Sequence, residues 1–154
     1  MKICVFPGTF DPITLGHVDI INRARPLFDK IVVGIGVNSN KSPMFALEDR
    51  LRWINDVFKD DENVIAESYT GLTVDFCNKL NAKYIVRGIR YMNDFEYEKV
   101  IADMNTELAD DIETIFLTSS TKFASFSSTL VREVYRNGGD VKRFIPTAIK
   151  LTEL

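Results

Sequence analysis

Short apolar runs alternate with helical patterns along the whole chain, and this alternation limits the possible folds more than any other feature. Five runs have the composition of buried strands, and the segments between them place apolar residues three or four apart, as one face of a helix does. Strands separated by helices indicate an α/β fold, so we predict a doubly wound, five-stranded parallel sheet with helices on both faces. The predicted strands are 3–6, 31–37, 64–66, 84–86 and 113–117.

Several helix ends can also be predicted. Thr70 and Asp94 are candidate N-caps of the third and fourth helices, because their side-chain oxygens can accept from free backbone N–H groups. Gly138 and Gly139 are expected to end the helix that Ser127 or Ser128 begins. We expect one more helical turn at 140–144 and a short terminal helix after Pro146, where proline interrupts the chain.

The bulk properties exclude some classes of protein. The sequence of 154 residues has no repeat, linker or low-complexity tract, so we expect a single domain over residues 1–154. A net charge of −3 argues against a nucleic-acid-binding protein. One histidine and two distant cysteines, Cys4 and Cys77, give no metal-ligand spacing, and both cysteines are expected to be buried thiols. The N-terminus has no long apolar segment, so we expect a cytoplasmic protein with no membrane partner.

Chemically suggestive segments follow each predicted strand. In open parallel sheets, ligands bind beyond the carboxyl ends of the strands, where the strand order reverses. Residues that can bind anions should therefore converge at one edge of this sheet. From the first to the fifth predicted strand along the chain, the segments that follow are 9–17, Lys41, 70–73, 87–90 and 119–129.

The stretch 6–17 is the most informative of them. Glycines and prolines form a turn between the first strand and the first helix, and His17, the only histidine, lies at the helix start. A helix N-terminus binds phosphate through its free N–H groups and its partial positive charge. Such turns are common and a lone histidine is more often structural. Here, however, the imidazole and the backbone N–H groups could share one phosphate, which favours a functional site.

The other candidates each have a simpler explanation. Lys41 could be an ordinary solvated lysine, and Arg87 and Arg90 could form surface salt bridges. Two guanidinium groups around Gly88 at a strand end are better explained by an anion, because arginine binds phosphate with a bidentate fork. Hydroxyl groups at 127–129 are good helix caps, and exposed hydroxyls can also bind phosphate.

Three motifs carry a family resemblance. Thr14-x-Gly16-His17 resembles the HxGH signature of the nucleotidyltransferases, with threonine in the first position. The longer string PGTFDPITLGH at 7–17, RGIR at 87–90 followed by DFEYE at 94–98, and SST at 127–129 before LVREV resemble the phosphopantetheine adenylyltransferases. The resemblance covers residues 6–134 and implies a Rossmann-like nucleotidyltransferase fold.

The resemblance also implies roles for individual residues. Family members often have tryptophan where this chain has Phe123, which offers an aromatic face without the indole N–H donor. Glu98 would otherwise be interpreted as a solvated helix charge. The residues expected to be catalytic are His17, Lys41 and Arg90. Those expected to bind the acceptor are Thr9, Lys41, Thr73 and Arg87. Those expected to bind ATP are Thr9, Phe10, His17, Gly88, Ile89, Arg90, Glu98, Phe123, Ser127, Ser128 and Thr129.

These groups suit one type of reaction. The sequence has no catalytic triad, activated thiol or carboxylate pair, whereas cations, hydroxyls and backbone N–H groups suit nucleotidyl transfer. The resemblance implies that 4′-phosphopantetheine attacks the α-phosphorus of ATP, giving dephospho-coenzyme A and pyrophosphate, with Mg²⁺ as cofactor. It also implies a homohexamer. A sister nucleotidyltransferase that uses CTP or another acceptor, and a nucleotide-binding sensor without turnover, remain as alternatives.

Overall fold

We describe the fold from a computed structural model, which describes residues 1–38, 40 and 42–151. Strands and helices alternate as the sequence predicts. The strands are β1 (Ile3–Gly8), β2 (Lys30–Gly36), β3 (Val64–Tyr69), β4 (Tyr84–Ile89) and β5 (Glu113–Thr118). The α-helices are α1 (Leu15–Ala24), α2 (Leu47–Val57), α3 (Thr73–Lys79), α4 (Met92–Leu108) and α5 (Ser128–Arg136), with short 3-10 turns at Arg25–Leu27 and Thr121–Phe123.

The five strands form one parallel sheet in the order β3-β2-β1-β4-β5. The chain winds outward from β1 to β3, then crosses back to place β4 on the other side of β1. The strand order therefore reverses between β1 and β4, and a ligand site is expected beyond their carboxyl ends. The predicted fold class is confirmed.

Helices cover both faces of the sheet, and each face has its own core. On β1, Cys4 and Phe6 pack into one apolar cluster while Val5 packs into the other. The larger cluster includes side chains from α1, α2 and α5, and the smaller one includes side chains from α3. This alternation follows from the two-residue period of a strand.

Two predicted N-caps were wrong. Helix α3 begins at Thr73 with Leu72 as its N-cap residue, so Thr70 does not cap it. Asp94 is the third residue of α4, where it accepts from the backbone N of Tyr91 at 3.3 Å. Beyond Gly138, whose φ is +75°, the predicted helical turn at 140–144 is present as a single hydrogen-bonded turn, in which the backbone N of Phe144 donates to the carbonyl oxygen of Val141 at 2.9 Å. The predicted terminal helix does not form over residues 147–151, and its remaining residues lie outside the described chain.

Among the described residues, no helix is both long and apolar enough to cross a lipid bilayer.

Candidate active site

Two adjoining cavities open at the carboxyl edge of the sheet. The first has a volume of about 650 Å³ and lies between the β1–α1 turn, the end of β4 and the start of α5. The second, of about 820 Å³, lies between the ends of β1 to β3 and α4. Five residues line both cavities and mark their junction: Pro7, Gly8, Thr9, Arg87 and Glu98.

The structure brings together most of the residues predicted to form the site. Thr73 lines the second cavity, whereas the Ile89 side chain is buried and lines neither. Lys41 lies outside the described residues, although the following Ser42 and Pro43 line the first cavity. The predicted residues that line the first cavity are Thr9, Phe10, His17, Arg87, Gly88, Arg90, Glu98, Phe123, Ser127, Ser128 and Thr129.

His17 is held in one defined protonation state. The backbone N of Thr14 donates to His17 Nδ1 at 3.0 Å, and the Thr14 hydroxyl oxygen accepts from the backbone N of His17 at 3.4 Å. Because a backbone N–H can only donate, Nδ1 must be unprotonated, and the neutral ring carries its proton on Nε2. Burial, helped by the charges of Arg87 and Arg90, lowers the pKa of His17 to about 4. His17 is therefore a neutral donor at neutral pH.

Aromatic packing fixes the His17 ring. The ring of Phe10 meets it edge-on, with centroids 4.9 Å apart. Phe10 has a φ of +47° and is only 2% exposed, so its side chain supports the histidine and offers almost no surface to the cavity. A Cβ built on Gly8 would lie 2.9 Å from the Phe10 ring, which explains why glycine is needed there.

The start of α5 faces the same cavity as His17. Ser127 is the N-cap, and its hydroxyl oxygen accepts from the backbone N of Leu130 at 3.2 Å. The Ser128 hydroxyl donates to the carbonyl oxygen of Pro12 at 2.8 Å and so joins α5 to the β1–α1 turn. The helix starts of α1 and α5 thus share one cavity, where free backbone N–H groups favour an anion.

Arg87 lies at the junction of the two cavities. Its guanidinium forms a bidentate pair with Glu98, with Nε–Oε2 at 2.8 Å and Nη2–Oε1 at 2.6 Å. It also donates to the carbonyl oxygen of Pro7, and thereby ties the end of β4 to the end of β1. The alternative of a salt bridge thus holds for Arg87, although the pair is only 28% and 10% exposed and lies inside the site.

Arg90 follows β4 and is held by Asp94 one helical turn later. The Asp94 carboxylate accepts from the backbone N of Arg90 at 3.0 Å and from its Nε at 3.1 Å. The 87–90 segment is less of a turn than predicted, since Arg87 to Ile89 are still in β4. Gly88 serves close packing, because a Cβ there would lie 3.0 Å from Ile20 Cγ1 of α1.

Sequence reasoning missed a buried network behind the site. The Asp11 carboxylate accepts from the backbone N of Met44 at 2.8 Å and of Phe45 at 2.9 Å. Arg50 is 4% exposed, and its guanidinium donates to the carbonyl oxygens of Phe45 and Thr9. Burial lowers the pKa of Arg50, partly offset by Asp11. Arg50 lies in the charged stretch 48–52, so its sequence neighbours gave no signal that its side chain is buried.

Two further arginines line the first cavity from α5, Arg132 and Arg136. Arg132 Nη1 donates to the carbonyl oxygen of Asp11 at 2.8 Å. The two arginines are four residues apart on the helix that the SST motif begins, so they lie on one face of it. This spacing could have identified them as a basic face directed at the same cavity.

The carboxylates that line the first cavity are all engaged by protein donors. Asp11 binds backbone N–H groups, Asp94 binds Arg90 and Glu98 binds Arg87. Among the described residues, no group of three or more His, Cys, Asp or Glu side chains could hold a metal ion. The described part of the chain therefore offers no carboxylate cluster that would hold magnesium without the substrate.

The two cysteines offer no nucleophile. Burial raises the pKa of both Cys4 and Cys77 to about 12, so both thiols are protonated at neutral pH. With a neutral imidazole donor, two helix starts and several guanidinium groups, the site can bind and stabilise charged phosphates without forming a covalent intermediate.

The sequence has close relatives of known family. The profile of the cytidylyltransferase-like family matches residues 5–134. A phosphopantetheine adenylyltransferase from Flavobacterium psychrophilum is 52% identical, over 98% of this chain and 99% of that protein. Proteins of the same name from Christiangramia forsetii and Lachnoclostridium phytofermentans are 49% and 45% identical, over 97% of this chain and 99% and 91% of theirs.

A solved structure shares the fold at much lower identity. It is a bifunctional NMN adenylyltransferase/ADP ribose pyrophosphatase from Francisella tularensis, complexed with AMP and a manganese ion. The TM-score is 0.70 and the identity 20%, and the match covers 94% of this chain but 44% of that one. At that identity the likeness supports the fold alone.

Proposed function

The chain belongs to the cytidylyltransferase-like family and, within it, to the phosphopantetheine adenylyltransferases, and we propose that it transfers the adenylyl group of ATP to 4′-phosphopantetheine. The products are dephospho-coenzyme A and pyrophosphate, so the reaction belongs to coenzyme A biosynthesis. One observation supports the site assignment most strongly: two cavities of suitable size meet at Thr9, Arg87 and Glu98. At such a junction, two phosphate-bearing reactants bound in the two cavities would meet.

The first cavity is assigned to ATP. His17 Nε2–H and the start of α5 at Ser127–Thr129 bind the phosphates, and Arg90 neutralises their charge. Phe123 and the segment Gly88–Ile89 contact the nucleoside, with Ile89 limited to its backbone because its side chain is buried. Phe10 acts through its backbone and by supporting His17.

The second cavity is assigned to the pantetheine arm, with Thr73 on its wall. Thr9 and Arg87 lie at the junction, where the acceptor phosphate would bind, and Lys41 is proposed as a third partner of that phosphate. Glu98 orients Arg87 through the bidentate pair and lies at the edge of both cavities. Residues 1–154 are proposed to act as one nucleotidyltransferase domain.

The chemical step needs no general base. A phosphate monoester has a second pKa of about 6, so the acceptor is largely a dianion at neutral pH. One of its oxygens attacks the α-phosphorus in line, the bond from that phosphorus to the bridging oxygen breaks, and pyrophosphate leaves. The protein positions the reactants and stabilises the charge on the α-phosphate, mainly through the neutral His17 donor.

Mg²⁺ enters with ATP as part of the substrate. Magnesium commonly keeps several waters and binds substrate phosphates rather than an all-protein cage. This agrees with the engaged carboxylates around the cavity.

A homo-oligomer, hexameric by family resemblance, and a cytoplasmic location are proposed as well. Helix α4 exposes an apolar stripe at helical spacing, which a second copy of the chain could cover. The stripe consists of Tyr97, Val100, Met104 and Leu108, each 58–68% exposed. Sedimentation velocity would test this, and a monomer at micromolar concentration would contradict it.

A turnover assay tests the proposed reaction. The purified chain is mixed with ATP and Mg²⁺, and pyrophosphate release is measured with 4′-phosphopantetheine, unphosphorylated pantetheine or nicotinamide mononucleotide, then with CTP in place of ATP. We expect release only with ATP and 4′-phosphopantetheine. Faster release with another acceptor or with CTP would indicate a sister enzyme. ATP binding without any release would indicate a sensor.

A further inference from the structure

We propose that Asp19 is a positioning residue for the nucleotide base. Its carboxylate fixes the start of the segment 119–127, here called the β5 loop, which carries Phe123. Through this loop, Asp19 sets the affinity of the first cavity for the base of ATP. The proposal rests on the proposed function in one respect: it takes the β5 loop as the wall that meets the nucleoside.

Asp19 joins α1 to a segment 101 residues away in sequence. Its Oδ2 accepts from the Ser120 hydroxyl at 2.8 Å and from the Ser120 backbone N at 3.3 Å. The Asp19 side chain is only 15% exposed, so these bonds are partly shielded from water. Hydrogen bonds to a charged group are stronger than neutral ones, which makes this a firm attachment.

Arg23 extends the attachment to the end of β5. Its Nη1 lies 3.4 Å from Asp19 Oδ2 and also donates to the carbonyl oxygen of Thr118, the last residue of β5. The loop also approaches the first turn of α1, since a Cβ built on Gly16 would lie 3.4 Å from the carbonyl oxygens of Phe123 and Phe126. The helix that carries His17 therefore also supports this loop.

The end of the β5 loop is anchored separately. Ser128 donates to Pro12, and Arg132 donates to the carbonyl oxygen of Asp11, each at 2.8 Å. Loss of Asp19 would therefore loosen the start of the loop, with Phe123, but leave the start of α5 in place. Base binding should weaken while phosphate binding persists, and this separates a positioning role from general support of the fold.

Direct binding measurements test this. Asp19→Ala should weaken ATP binding about tenfold, the scale of losing a charged hydrogen bond, while inorganic tripolyphosphate binds within about twofold of wild type. The KM for 4′-phosphopantetheine should also stay within about twofold. The ATP affinity of Asp19→Asn should lie between those of wild type and Asp19→Ala, because its amide oxygen can still accept from Ser120.

Asp61→Asn is the matched control. The Asp61 carboxylate is 11% exposed and pairs with Arg25 at 2.6 Å, but it lines neither cavity. This variant should lower thermal stability and leave both affinities unchanged. Ser120→Ala removes only the hydroxyl hydrogen bond to Asp19 and should weaken ATP binding about threefold. This smaller change keeps the proposal testable if Asp19→Ala fails to fold.

Unchanged ATP affinity in folded Asp19→Ala, or in Ser120→Ala, would overturn the proposal. So would equal weakening of ATP and tripolyphosphate. These binding measurements do not require turnover. If the proposed function failed, wild type would bind ATP but release no pyrophosphate with phosphopantetheine, which differs from the results that would overturn the role of Asp19.

Discussion

The two walls of the first cavity are built on different principles. The α1 wall, formed by the start of α1 with His17 and the start of α5 at 127–129, has neutral donors fixed by backbone hydrogen bonds. The β4 wall, formed by Arg87 and Arg90, has charged donors that carboxylates hold.

This difference indicates a division of labour. Neutral donors that the backbone already orients need no rearrangement as charge develops on a phosphate, so they suit transition-state stabilisation. The guanidinium groups supply charge, but Glu98 and Asp94 offset part of it until a phosphate competes for them. The α1 wall should therefore act mainly on kcat, and the β4 wall mainly on binding of the anionic reactants.

The largest effect should follow loss of the His17 donor. His17→Ala should lower kcat by roughly 10²–10³ with little change in KM, as for one lost transition-state donor. His17→Asn is the control that should disturb the fold less, because its side-chain oxygen can still accept from the backbone N of Thr14. Steady-state kinetics gives kcat and KM for the two variants, and thermal melting checks that each is folded. Wild-type turnover in either variant would remove the proposed role of the α1 wall.

The neutral state of His17 should also appear in stability. Its pKa is about 4 in the fold against 6.5 for an unperturbed histidine, so the unfolded state binds more protons between these values. The His17 contribution should therefore be fully present above pH 6.5 and decrease toward pH 4, by up to about 3 kcal/mol. Urea unfolding of wild type and His17→Asn across this range should show a steeper pH dependence of the unfolding free energy in wild type. Parallel curves would contradict the neutral state assigned to His17 in the fold.

Loss of one charge from the β4 wall should have a smaller effect. Arg90→Ala should lower kcat/KM for ATP by about 10–100-fold, the scale of a charge-assisted hydrogen bond. Asp94→Asn is the matched control, because it leaves the guanidinium but weakens its competitor. It should leave ATP binding unchanged or slightly tighter. If Asp94→Asn weakens ATP as much as Arg90→Ala, the carboxylate serves the site directly and the two-wall comparison fails.

The smallest expected effect concerns Lys41. Lys41→Ala should raise the KM for 4′-phosphopantetheine about tenfold and leave the KM for ATP unchanged, because one phosphate contact is lost on the acceptor side. Initial-rate kinetics with each substrate varied in turn provides the measurement. If neither KM nor kcat changes, Lys41 is not part of the site.

The sequence predicted the fold and the gathering of the loops, but not the pairing within the site. Short apolar runs located all five strands, and parallel strands bring their carboxyl ends together whatever the loops contain. The pairing of Arg87 with Glu98 depends on how α4 crosses β4, and that of Asp19 with Ser120 on how α1 meets β5. Neither leaves a local pattern. The Thr70 and Asp94 caps were wrong because a good capping residue near a helix start need not be its cap. Helix α3 has Leu72 as N-cap residue and no side-chain cap, and Asp94 accepts from the backbone N of Tyr91 as the third residue of α4.

The central claim is that the adenylyl group passes directly from ATP in the first cavity to the phosphate of the acceptor, without an enzyme-bound intermediate. The most direct test is the stereochemical course at the α-phosphorus, followed with ATP made chiral there by one sulfur and one oxygen isotope. A single in-line displacement predicts inversion of configuration in the dephospho-coenzyme A product. Retention would require two displacements through a nucleotidylated residue, and would contradict the account.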